Sequence, residues 1–130
     1  MAAYATLSDL YTVMSATQMG SLSTQRQQSI LDARNAFADD FLRARYALPI
    51  QAPYPESLIF AICRIAAYDC ARARGFNPAA GADIVIENDK NEALKWLEDV
   101  SRQRVHPAIT EATATPEFSP ITIGKKLRGW

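Results

Sequence analysis

The sequence predicts an all-α fold: a helical domain over residues 1–106 with four helices, then an extended C-terminal arm over 107–130. Three observations carry that expectation. Apolar residues recur at spacings of three and four in separate segments, the mark of helices with one buried face. Glycine, proline and serine interrupt the pattern between them. One segment, 58–67, is apolar almost all round, as a helix enclosed by others must be. Hydrophobic residues make up 48% of the 130, enough for a modest core and too many for general disorder.

The first helix is expected over 7–14. Thr6 can cap it, with Asp9 completing a weak capping box, and Leu7, Leu10, Tyr11 and Met14 form one apolar face. Gly20 and its neighbouring serines mark the break that follows.

The second helix is expected over 24–46, with Ser23 as N-cap. Ile30, Ala33, Phe37, Phe41 and Ala44 make its main stripe, and Leu31, Ala38 and Leu42 widen it. At about 1.5 Å per residue it would be about 35 Å long. Packing of that stripe must hold it, since isolated propensity would not. It runs into FLRARYALPI, residues 41–50, and must stop before Pro49, whose ring removes a donor and disfavours helix in the residue ahead. Arg43 and Arg45 lie near that end, where cations suit the helix dipole. Pro49, Pro53 and Pro55 make 47–55 a stiff connector.

The third helix is expected over 56–74. Pro55 or its neighbours can open it, Glu56 suits the dipole, and Gly75 is a plausible C-cap. Cys63 and Cys70 are seven apart on it. Two turns separate them by roughly 10 Å, too far to bridge, so they read as small buried hydrophobes. The fourth helix is expected over 83–104, with Ile86, Ala93, Trp96, Leu97 and Val100 inward. The run Ile84-Val85-Ile86 also suits a strand, but no nearby partner strand is evident and helix is the reading taken.

After His106-Pro107 helical periodicity ends. Phe118-Ser119-Pro120-Ile121-Thr122-Ile123-Gly124 alternates apolar and polar, and Lys125, Lys126 and Arg128 put +3 on the last six residues, around Leu127 and ending in Trp130. A frayed terminus would account for such a tail. Its bulky apolar residues favour a docking arm that adds a strand to an exposed sheet edge.

The residues give no catalytic, metal or cofactor site. The single histidine, His106, has no metal-spaced partners, and the glycines lack phosphate-loop spacing. Asp39-Asp40 and Glu98-Asp99 are helix neighbours about 100° apart and read as solvated faces. Formal net charge is zero, 14 bases against 14 acids, which argues against a dedicated nucleic-acid binder. No apolar run approaches the roughly 18 residues that span a bilayer, so no membrane partner is expected. No signal peptide is visible, and a cytoplasmic protein is the expectation.

Three blocks carry a resemblance: YATLSDL (4–10), RYALPI (45–50) and EALKWLEDVSRQRV (92–105), with LIFAICRIAAYDCARARG (58–75) between the last two. Across about 4–106 the chain resembles the head–tail connector (adaptor) proteins of Mu-like phages and prophages. The resemblance implies a structural protein of the virion neck, assembled in the bacterial host cytoplasm. It would form a ring of about twelve copies beneath the portal protein, closed by head-to-tail interfaces. It would extend the DNA channel, letting DNA pass without specific binding, and dock a downstream neck or tail-completion protein. The tail after Val105 lies outside the resemblance; by their own apolar and basic character Phe118, Pro120, Ile121, Ile123, Lys125, Lys126, Leu127, Arg128 and Trp130 would be the portal-docking arm. Arg43, Arg45, Tyr46, Leu48 and Pro49 would make a subunit or neck contact, although Arg43, Arg45 and Tyr46 also suit plain satisfaction of carbonyls and core edges at a helix end. Residues 83–104 carry six acids and four bases, so the fourth helix is a candidate channel lining. Two rival readings are a small helical protein-binding regulator, and a helical nucleic-acid-binding domain using Arg72, Arg74 and the basic tail.

Overall fold

The computed structural model describes residues 4–48, 50–77 and 81–109. Within them the chain forms four helices: α1 (Leu7–Val13), α2 (Thr24–Leu42), α3 (Glu56–Arg74) and α4 (Gly81–Ser101). The all-α expectation holds. The helix reading of Ile84-Val85-Ile86 holds as well, since all three lie inside α4.

The local start signals act as the sequence indicates. Thr6 and Asp9 complete a reciprocal capping box, satisfying two amide donors at the start of α1. Ser23 Oγ accepts from the Arg26 amide at 3.1 Å and opens α2. Pro55 precedes α3 and Gly75 ends it at φ +113°, a conformation that favours a residue without Cβ.

α3 is the centre of the domain. The other three helices all pack on it, and Leu58, Ile62, Ile65, Ala66, Ala67 and Cys70 are fully enclosed. Its exception is Phe60, which is 47% exposed. Cys63 and Cys70 are free and buried, and burial pushes their thiols up to about 12 and about 11.

α2 corrects the sequence reading in two ways. Its buried line is Gln27, Leu31, Asn35, Ala38 and Leu42, whereas Ala33 and Ala44 are exposed and Ile30, Phe37 and Phe41 only partly covered. The assumed main stripe is therefore the flank of the true face. Two polar residues sit on that face, so apolar spacing alone pointed to the wrong side. Both are satisfied by specific hydrogen bonds. Asn35 Oδ1 accepts from the Ala5 amide at 3.0 Å while its Nδ2 donates to the Ala5 carbonyl at 3.1 Å. Gln27 Oε1 accepts from the Tyr11 hydroxyl at 2.6 Å, and its Nε2 donates to the Leu22 carbonyl at 2.8 Å. These bonds tie α1 and the segment before it to α2. Tyr4 adds a hydrogen bond to Asp39 and an edge-on contact with Tyr54, centroids 5.0 Å apart.

The second correction is length. α2 ends at Leu42, not near Tyr46, and the Arg45 and Tyr46 amides both return to the Leu42 carbonyl in a tighter turn. α4 is also displaced, starting at Gly81 and ending at Ser101 instead of spanning 83–104. Gln103, at φ +64°, marks the turn that follows. Val105 and Ile109 also pack on the core.

Candidate functional site

The five residues expected to make a contact near the end of α2 separate into two environments. Arg43 is on the outside. Its guanidinium pairs with Asp40 at 3.0 Å, and both side chains are largely in water. Ala33, Ala36 and Phe37 lie beside them, and together these residues line a shallow groove of about 500 Å³ on the outer face of α2.

Arg45, two residues on, is turned inward. One guanidinium nitrogen donates to the carbonyls of Val100 at 3.1 Å and Val105 at 2.7 Å, and the other meets His106 Nδ1. The Val100 carbonyl is in the last turn of α4, where a cation suits the helix dipole, and the Val105 carbonyl is in the turn that follows it. The same guanidinium lies over the Tyr46 ring, 5.0 Å from its centroid. Tyr46 and Leu48 are half-buried against the core. The plain structural role therefore accounts for Arg45, Tyr46 and Leu48, while Arg43 remains outward-facing. Pro49 lies outside the described residues, as do the arm residues Phe118, Pro120, Ile121, Ile123, Lys125, Lys126, Leu127, Arg128 and Trp130.

The Arg45 clamp gives a direct expectation. Arg45→Ala should cost about 1–3 kcal/mol, the range for hydrogen bonds from a charged donor, and loosen the last turn of α4. Faster amide exchange over 100–105, with α1 to α3 unchanged, is the signature to measure. Arg43→Ala should leave exchange and melting unchanged, because exposed pairs contribute little.

The acidic bias of the fourth helix is mostly consumed inside the chain. Asp83 is 2% exposed and is bound by Arg74, Nη2 to Oδ1 at 2.6 Å, and by the Asn77 amide at 2.8 Å. Asp99 faces Lys95 at 3.1 Å and Arg104 at 3.6 Å, and Glu98 faces Arg102 at 3.6 Å. The hydrogen bond from Lys95 leads in holding the Asp99 carboxyl below its usual range. Asp83 is thus removed from any channel surface. Arg74, one of two cations considered for a nucleic-acid role, is tied to it; Arg72 is exposed.

Among the described residues no group of three His, Cys, Asp or Glu gathers in metal-binding geometry, and no helix is long and apolar enough to cross a membrane. The sequence reading missed Phe60. It sat inside an apolar run and was absorbed into the core, and only the positions of α1 and α4 show that it projects outward.

The fold and the use of its side chains define an all-α domain whose described polar groups chiefly cap, clamp and pair helices. The chain matches the family model described as Bacteriophage Mu, Gp36, over residues 1–121, and it belongs to that family of Mu-like phage proteins. No curated protein matches it.

Proposed function

We propose that this chain is a head–tail connector (adaptor) protein of the phage particle, located in the virion neck. The observation that carries the reading is membership of the Mu-like phage family over residues 1–121, which includes the first part of the arm. Copies form a ring of about twelve beneath the portal, joined head to tail. The ring extends the DNA channel and presents a surface to the next neck or tail-completion protein. The neutral formal charge suits a conduit that must release DNA, since a tight grip on phosphates would require excess cations. The arm, with Phe118, Ile121, Ile123 and Trp130 as apolar anchors and Lys125, Lys126 and Arg128 as cations, attaches the ring to the portal. Many copies acting together offset the entropy each arm loses on binding. The outward Arg43 end of α2 supplies a subunit contact, with no metal, cofactor or catalytic step involved.

The test is attachment to portal-bearing heads that lack this protein. The full chain should bind them and restore tail joining. A chain ending at Ile109 should be as helical as the full chain but fail to attach. If the full chain ignores portal-bearing heads and instead binds one soluble phage or host protein as a monomer or dimer, the connector reading is wrong and a regulator takes its place.

A further inference from the structure

We propose that Phe60 is the knob through which one copy of this chain seats on the α2 groove of its neighbour. The inference rests on the ring reading above and names the two surfaces that meet. Phe60 and Val85 are the large apolar residues left substantially exposed among those described, at 47% and 56%. Phe60 is flanked by grooves. A cleft of about 350 Å³ lies on its α1 side, with Asp9 and Glu56 on its walls, and one of about 230 Å³ lies on its α4 side, beside Trp96. An aromatic ridge between two clefts is a shape that a flat solvated helix face does not have. Aromatic residues and Arg are also the side chains that most often anchor interfaces.

The ridge carries its own cation. Arg64 lies over the Phe60 ring, 4.1 Å from the centroid, and reaches Glu92 at 3.5 Å. Glu92 is 71% exposed and Arg64 23%, so Glu92 is the partner that can swing away while Arg64 stays against the ring.

The complementary surface is the outer groove of α2. Ala33 and Ala36 leave room there for a ring, and Asp40 and Arg43 form its charged border. Its Asp40–Arg43 pair is exposed on both sides and can exchange partners. When the ring of Phe60 enters, Asp40 receives Arg64, and Arg43 receives Glu92. Each cation of one face then meets an acid of the other.

The two faces also lie on opposite sides of the subunit, as a head-to-tail contact requires. On α3, Phe60 and Asp69 are half a turn apart at about 100° per residue, and Asp69 is the residue held by Arg34 of α2. Phe60 therefore points away from α2. On α2, Asp40 is half a turn from the buried Leu31, so the groove points away from α3.

The test is cysteine cross-linking of the full chain carrying both Ser57→Cys, one turn from Phe60 and lining both clefts, and Ala36→Cys, assembled on portal-bearing heads. Buried Cys63 and Cys70, with thiols pushed up to about 12 and about 11, supply no competing nucleophile. Mild oxidation should give a ladder of multimers ending in a closed ring. Either single variant alone should give monomers, and a mixture of the two should stop at dimers. Dimers from Ser57→Cys alone would mean a two-fold contact and overturn the assignment. So would particles that carry the double variant at normal occupancy and show no ladder. As a second measure, Phe60→Ser should keep its circular dichroism and lower ring occupancy at least about tenfold, as expected for an interface anchor. Normal occupancy would also overturn it. If wild-type protein never joins portal-bearing heads, the ring reading itself fails and takes this one with it.

Discussion

Ile62→Asp is expected to unfold the domain. Ile62 has no exposed surface and sits at the centre of α3, where α1, α2 and α4 converge. The residues clustered with it in the core are apolar, so the new carboxylate enters surroundings built of hydrocarbon. An unpaired carboxylate enclosed in that core costs several kcal/mol, and loss of the packed isoleucine adds to it. A domain of this size has about 5–15 kcal/mol in total, so most of its stability is removed. Ile62→Val, which trims one methyl group, should cost about 1 kcal/mol and stay folded. Circular dichroism distinguishes the two. Thiol labelling is a second readout, because Cys63 and Cys70 are shielded in the native state and react once α3 opens. A soluble Ile62→Asp protein with native helicity and unreactive thiols would show that α3 is not the core.

The second large effect is expected at Asp83. The Arg74–Asp83 pair joins the last turn of α3 to the first turn of α4, and the Asp83 side chain is 3% exposed against 19% for Arg74. Asp83→Ala leaves a guanidinium, whose Nε has no partner among the described residues, without its carboxylate, and removes an acceptor of the Asn77 amide. Breaking such a pair on one side costs about 3 kcal/mol. For a chain of this length that corresponds to a fall in Tm of about 10 °C. Replacing both partners, Arg74→Met with Asp83→Leu, should recover part of the loss, because two apolar groups need no mutual charge. Recovery stays incomplete because the hydrogen bond from the Asn77 amide to Asp83 is lost as well. Equal melting of Asp83→Ala and wild type would show that the pair contributes nothing.

The same residue sets an acid response. Hydrogen bonds from Arg74, then from the Asn77 amide, hold the Asp83 carboxyl below its ordinary value against the opposing effect of burial. In the unfolded chain it titrates near about 3.9. The folded form therefore binds this proton less readily, and the contribution is complete above that unfolded value. It is lost as pH falls below it and through the lowered folded value. Denaturation midpoints measured from pH 6 down to 2 should fall more steeply for wild type than for Asp83→Ala. Parallel curves would remove Asp83 from the acid response, leaving Asp99, which is lowered as well.

Much of this fold was legible from local rules. The capping box at Thr6, the Ser23 cap, the bounds of α3 and its glycine stop at Gly75 are short-range features, each decided within a turn or two of chain. The central place of α3 follows from composition, because a helix apolar nearly all round has no face to give to water. The family could also be read from the order and spacing of a few blocks.

Other features depended on partners distant in sequence. Asn35 and Gln27 are buried because Ala5, Tyr11 and Leu22 satisfy their amides, and this rotates α2 away from its most apolar flank. Arg45 is drawn to carbonyls 55 and 60 residues away, which is why Arg43 faces outward and Arg45 does not. Phe60 is exposed because α1 and α4 pack on either side of it and leave its ring between two clefts. Sequence spacing gives the direction of each side chain around its own helix. Only the packed helices decide whether that direction meets a neighbour, a carbonyl or open water.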